Sequence, residues 1–76
     1  MKPQPLFVGG PDDTHEDVVR AFLDTLPADD RLPGYQKGEH WGQWVINDKP
    51  YWVTLVGVAD GEWAFAVFAD GPEFRV

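Results

Sequence analysis

The chain contains no cysteine and no serine. The absence of cysteine excludes disulfides and thiolate metal ligands, which removes the main support for a small secreted, disulfide-stabilised scaffold. Without serine or cysteine the usual acyl-transfer nucleophiles are also missing, and the only aliphatic hydroxyls belong to Thr14, Thr25 and Thr54. We therefore expect no covalent catalysis and no enzymatic activity.

Basic residues are scarce as well. The formal net charge is -7, from 13 aspartates and glutamates against 6 lysines and arginines. Between residues 12 and 30 only Arg20 opposes a run of acids: Asp12, Asp13, Glu16, Asp17, Asp24, Asp29 and Asp30. A surface of this sign repels phosphate backbones, so direct binding to nucleic acid is disfavoured. The predicted partner is a basic protein; the alternative is that the acids only keep the protein soluble and monomeric.

Long apolar runs are missing too. No segment approaches the roughly 18 apolar residues that a membrane-spanning helix needs, and residues 1–10 lack the basic start and apolar core of a secretory signal. A chain of 76 residues has room for one small domain, whose folding buries about 60% of the surface of the unfolded chain. We expect a single cytoplasmic domain over residues 1–76 that contacts no membrane.

Patterns that bind metals or phosphate groups are not found. His15 and His40 are the only histidines, and neither has the i, i+4 histidine partner of a helical zinc site. The acids near residue 15 lack the alternating ligands and central glycine of a calcium-binding EF-hand loop. No glycine pattern matches a phosphate-binding loop. We expect no cofactor and no metal ion.

Residues 14 to 26 carry a helical pattern. Apolar residues recur at i, i+1, i+4, i+5 and i+8, which places on one stripe of a helix Val18, Val19, Phe22, Leu23 and Leu26. Thr14 is the predicted N-cap, with Asp17 completing an approximate capping box, and Asp13 is the alternative cap. Pro27 disfavours helical geometry at the residue before it, so the helix is expected to end at about residue 26.

From Glu39 onward the pattern changes to alternating strands. Three segments rich in aromatic and β-branched residues are separated by turn residues: His40–Ile46, Tyr51–Ala59 and Glu62–Ala69. Residues 73–76 are a candidate fourth strand, residues 4–8 a candidate edge strand, and residues 29–38 a polar connector. The predicted fold is α+β, with one N-terminal helix packed on a three- to four-stranded antiparallel meander.

The Asp60-Gly61 dipeptide predicts a tight type I′ hairpin turn. Counting outward from it pairs Val58 with Trp63 and Trp52 with Ala69, and places Trp41, Trp52 and Trp63 on one face of the sheet. The second face is assigned to the helix, so the tryptophan face is left open for a partner. The alternative is that the faces are reversed and these tryptophans form the core under the helix.

Two classes of function remain. The first is an inhibitor that occupies a basic, nucleic-acid-binding site on a host protein, as anti-CRISPR and anti-restriction proteins of phages and mobile elements do. Its physical basis is that carboxylates substitute for phosphates in a groove lined by lysine and arginine. The second is a structural or adaptor domain that forms a homodimer through the tryptophan face. The residues expected to contact a partner are the seven acids between residues 12 and 30, together with Trp41, Trp52 and Trp63.

Overall fold

A five-stranded antiparallel sheet carries one helix on one of its faces. The structure, a computed structural model, describes residues 4–27 and 34–70. The elements follow one another as β1 (Phe7–Val8), α1 (His15–Thr25), β2 (Tyr35–Lys37), β3 (Gln43–Ile46), β4 (Lys49–Ala59) and β5 (Glu62–Ala69). The strands lie in the order β1-β5-β4-β3-β2. The α+β class is confirmed, and the described residues contain five strands instead of three or four.

Helix α1 begins where the capping residues predict. The Thr14 hydroxyl accepts from the Asp17 N–H at 3.1 Å, and the Asp17 carboxylate accepts from the Thr14 N–H at 3.1 Å. This reciprocal pair is a capping box, which satisfies two N–H groups that the helix leaves unpaired. Leu26 caps the other end in an extended conformation (φ -81, ψ 150), the geometry that a following proline favours.

Strands β1 and β2 occupy opposite edges of the sheet. Strand β1 lies in the segment predicted as an edge strand, and Phe7 pairs with Val67 of β5. Strand β2 contradicts the prediction of a connector over residues 29–38. Of its three residues only Tyr35 is apolar; it pairs with Ile46, and its ring lies 5.9 Å from that of Trp44. Pairing with β3, not local propensity, therefore forms this strand. The candidate strand at residues 73–76 lies outside the described residues.

The turn between β3 and β4 is tighter than the sequence pattern suggests. Asn47 and Asp48 have φ of 53 and 66, so Ile46 pairs directly with Lys49 in a two-residue hairpin. Positive φ at both central positions is the signature of a type I′ turn, and Asn and Asp tolerate it. The predicted strands, His40–Ile46 and Tyr51–Ala59, leave four residues between them, which would pair Ile46 with Tyr51. Because that error is two residues, the side chains of β3 and β4 keep their predicted faces.

The turn between β4 and β5 has the predicted position but a different register beyond it. Ala59 pairs with Glu62 as predicted, yet a bulge between Gly57 and Ala59 leaves Val58 as an extra residue. Gly57 therefore pairs with Trp63, and every pair farther along the hairpin differs from the prediction by one residue. A slip of one residue exchanges the two faces of a strand. The prediction that the tryptophans share one face is wrong.

The helix packs on the sheet face that carries Trp44, Ile46, Val53 and Val67, here called the helix face. The helix buries three residues against this face: Val18, Val19 and Phe22. The ring of Phe22 meets that of Tyr51 edge-on, with centroids 5.1 Å apart. The sequence analysis assigned the helix to the sheet face opposite Trp52 and Trp63. This assignment is correct for β3 and β4, but it is wrong for β5, where Trp63 itself lies on the helix face. The opposite side of the sheet is here called the far face. Because of the bulge, three residues of β5 lie on the far face, and all three are buried: Ala64, Ala66 and Phe68.

Candidate functional site

The acidic residues predicted to contact a partner have unequal roles. Asp12 and Asp24 are exposed, while Asp29 and Asp30 lie outside the described residues. The Asp13 carboxylate accepts from the Gly10 N–H at 2.9 Å and holds the loop before the helix. Since Asp17 is part of the capping box, Asp13 and Asp17 both stabilise local structure. Charge reversal at either residue would therefore break a hydrogen bond as well as change the surface charge.

Glu16 belongs to a cluster of side chains that joins the helix to the edge of the sheet. It lies 3.2 Å from the Arg20 guanidinium, one helical turn away. The Tyr35 hydroxyl donates to Glu16 at 3.2 Å and accepts from the Arg20 Nε–H at 3.0 Å. All three side chains are solvent-accessible at these atoms, so the cluster orients β2 against the helix more than it stabilises the fold.

Hydrogen bonds shift the pKa of two groups in this region. The Thr14 main-chain N–H, and to a lesser extent the Thr14 side chain, lower the pKa of the Asp17 carboxyl below its ordinary value. The Tyr35 hydroxyl, followed by Glu16, raises the pKa of Arg20. Both shifts favour the charged forms, so Asp17 is held as a carboxylate and Arg20 as a cation at neutral pH.

The predicted contact tryptophans lie in three different environments. Trp41 is in the turn before β3, and 98% of its surface is exposed. Trp63 is on the helix face and 61% exposed. Trp52 is half-buried on the far face, between its cross-strand neighbours Gln43 and Phe68. Trp41 and Trp63 therefore remain candidate contact residues on the helix side of the molecule, and Trp52 is separated from them by the sheet.

A cleft of about 420 Å³ opens on the helix face beside the start of α1. We call it the aromatic cleft, because its walls include His15, Trp41, Trp44 and Phe65. The His15 ring stacks at a tilt on Trp44, with centroids 5.5 Å apart, and meets Phe65 edge-on at 5.6 Å. The aromatic floor is thus partly covered by a residue of the helix.

Gln43 shapes the rim of the aromatic cleft, a role that the sequence analysis did not find. This residue is 8% exposed. Its side-chain oxygen accepts from the N–H groups of Glu39 and His40 at 3.1 and 3.4 Å, and its amide donates to Asp70 at 2.7 Å. These bonds hold the loop of residues 39–42, and with it Trp41. A buried glutamine within a strand has no distinctive signal in the sequence. The tryptophans, by contrast, could be identified as candidate contact residues from the sequence.

At its outer end the helix face is left uncovered by α1. Leu55 is 50% exposed and pairs with Phe65, which lines the aromatic cleft. Trp63 lies two pairs farther out, opposite Gly57. Leu55 and Trp63 are therefore exposed apolar residues on the same face of the sheet as the cleft, which the exposed Trp41 lines. The correct register, set by the bulge at Val58, was needed to find Leu55 and Trp63 on the same face.

Within residues 4–27 and 34–70, no three histidine, aspartate or glutamate side chains are grouped so as to hold a metal ion. In the same residues no helix has the length and apolar character needed to cross a membrane. No protein-family model matches the chain, and no match was found among curated proteins or among solved structures.

Proposed function

We propose that this protein is a small, non-enzymatic binding domain that occupies a basic, nucleic-acid-binding site on another protein. One observation carries the proposal: exposed aromatic and acidic residues meet around the aromatic cleft. The exposed Trp41 and Glu39 line it together with His15 of the acidic helix, and the exposed Trp63 lies two residues before Phe65, another of its walls. Exposed tryptophans are typical of binding hot spots.

The charge of the chain supports a basic partner. With a formal net charge of -7, its surface attracts lysine- and arginine-rich grooves and accelerates encounter with them. Carboxylates placed along such a groove take the positions of phosphates. Inhibitors from phages and mobile elements, including anti-CRISPR and anti-restriction proteins, work in this way, and we place this protein in the same class by its size and charge.

Affinity capture from the native host tests the proposal. The tagged protein serves as bait at low and high salt, beside a Trp41→Ala, Trp63→Ala double variant. We expect the wild type to retain a basic protein at low salt, to lose it at high salt, and to lose it in competition with nucleic acid. The double variant should retain much less. If wild type and variant retain the same proteins in the same amounts, the proposal is wrong.

The alternative of a homodimer through a tryptophan face loses its structural basis. That surface required Trp41, Trp52 and Trp63 on one side of the sheet, whereas Trp52 lies on the far face. The negative charge also opposes self-association, because two copies bring like charges together. Sedimentation at several protein concentrations measures directly whether the protein forms a dimer through another surface.

A further inference from the structure

Strand β4 is much longer than the strand beside it. It has 11 residues, whereas β3 has 4. The pairing of β3 with β4 ends at Gln43 and Trp52, and one more bond joins the Val53 N–H to the Gly42 carbonyl at 2.8 Å. Beyond this point β4 continues to Ala59 with β5 on one side only, and no strand of the described residues pairs with its other side.

The direction of the main-chain groups along this outer part of β4 follows from that last bond. In an antiparallel strand, successive residues point their N–H and C=O groups alternately to the two sides. Val53 points toward β3, so Leu55 and Gly57 point the same way, past the end of β3. Two N–H and two C=O groups therefore face outward along the segment Leu55–Gly57, which we call the open edge.

Side chains next to the open edge provide an apolar anchor site. A residue paired with Leu55 from outside would have its side chain on the helix face. It would lie beside Leu55 and diagonally from Val53, a wall of the aromatic cleft, and near the exposed Trp41, while Phe65 lies on the other side of Leu55. Main-chain groups and a pocket for an alternate side chain are the two components of recognition by strand addition.

We propose that the partner binds by adding an extended, basic segment to the open edge as a sixth strand. An apolar or aromatic residue of that segment enters the aromatic cleft, and lysines or arginines flank it. Acids surround the edge: Glu39 lines the cleft, while Asp60 and Glu62 follow β4 at the hairpin turn. Lys37 also lines the cleft. This inference rests on the proposed function, and it specifies how the basic partner is held.

Gly57 allows a test with a matched pair of variants. Gly57→Pro removes the outward N–H and places a ring at the open edge, while the bonds between β4 and β5 run through the neighbouring residues. Gly57→Ala is the control, because it keeps the N–H and its Cβ would contact the Trp63 ring at an ordinary 3.9 Å. Circular dichroism and thermal unfolding establish that both variants fold.

The probe is a seven-residue synthetic peptide with a central tryptophan, a valine on each side of it and two lysines at each end. A second peptide carries glutamates in place of the lysines. Calorimetry measures affinity, and amide hydrogen exchange of Leu55 and Gly57 reports on strand pairing. We expect the lysine peptide to bind Gly57→Ala at least tenfold more tightly than the glutamate peptide does. We also expect the lysine peptide to bind Gly57→Pro at least tenfold more weakly than it binds Gly57→Ala. Bound to Gly57→Ala, the lysine peptide should slow amide exchange at Leu55.

The outcomes separate this inference from the proposed function. Equal affinity of the lysine peptide for Gly57→Pro and Gly57→Ala overturns strand addition, while a preference for lysine over glutamate still supports a basic partner. Equal binding of both peptides contradicts the basic partner instead. Failure of both peptides to bind Gly57→Ala overturns the inference. Concentration-dependent dimers of Gly57→Ala that are absent in Gly57→Pro also overturn it, by assigning the open edge to a second copy of the chain.

Discussion

The indole ring of Trp63 lies against Gly57 of the neighbouring strand. The two residues are cross-strand partners, and a Cβ on Gly57 would lie 3.9 Å from Cζ3 of the ring. The ring thus covers a position that has no side chain of its own. This pair exists because Val58 is bulged; in a regular hairpin closed at Ala59 and Glu62, Val58 would face Trp63 and Trp63 would lie on the far face.

Trp44 and Trp41 are expected to differ sharply in their contribution to the stability of the fold. Trp44 is 6% exposed in the core, so Trp44→Ala should cost about 3–5 kcal/mol of the free energy of unfolding. Trp41 is 98% exposed, so Trp41→Ala should change it by about 0.5 kcal/mol or less. Urea denaturation measures both. Comparable losses in the two variants would contradict the burial described for them.

The capping box predicts a local contribution at the start of α1. Thr14→Ala removes the hydroxyl that accepts from the Asp17 N–H, and we expect it to cost about 1 kcal/mol of the free energy of unfolding. Thr14→Ser keeps the hydroxyl and is the matched control, with a change of a few tenths of a kcal/mol expected. Chemical denaturation distinguishes the two variants. An alanine variant as stable as the serine variant would show that the cap contributes nothing.

Acid should weaken the fold partly through Asp17. Its pKa is lowered in the folded state, so the carboxylate stabilises the fold above the ordinary aspartate pKa of about 4, and this contribution is lost as the pH falls through the folded pKa. Asp17→Asn should therefore show a smaller loss of thermal stability between about pH 6 and about pH 3. Asp12→Asn is the control. If the Asp17 and Asp12 variants respond to pH alike, Asp17 has no special role.

The helix could be predicted from the sequence because its determinants are local. The stripe of Val18 and Phe22, the cap at Thr14 and the stop at Pro27 all act within a few residues of one another. The register of β5 could not be predicted from the sequence, because the bulge at Val58 has no sequence signature that distinguishes it from a regular hairpin. Only Gly61 of the Asp60-Gly61 turn has positive φ, so this turn is not the type I′ form that the dipeptide suggests.

The candidate site was predicted only in part for the same reason. Exposed aromatic residues were expected at Trp41 and Trp63, and both are exposed. The aromatic cleft, however, combines residues from the helix, the loop of residues 39–42 and four strands. Its shape depends on tertiary contacts such as the bond between Gln43 and Asp70, which join residues 27 positions apart. No local pattern encodes that contact.

The last prediction concerns charge reversal before the helix and at the aromatic cleft. Asp13 and Asp17 are poor choices, because reversal there breaks the bond to Gly10 and the capping box. Asp12 precedes the helix, and Glu39 lines the cleft. The double variant Asp12→Lys, Glu39→Lys should keep its unfolding temperature within a few degrees and bind the lysine peptide at least tenfold more weakly at low salt.

A neutral double variant, Asp12→Asn with Glu39→Gln, is the matched control and should show an intermediate affinity. Raising the salt concentration should bring the three proteins closer together, because screening weakens the attraction of the wild type and the repulsion of the reversed variant. Calorimetry at two ionic strengths measures both effects. Retention of full affinity by the reversed variant at low salt would mean that these acids only solvate the surface, and the proposal of a basic partner would lose its electrostatic basis.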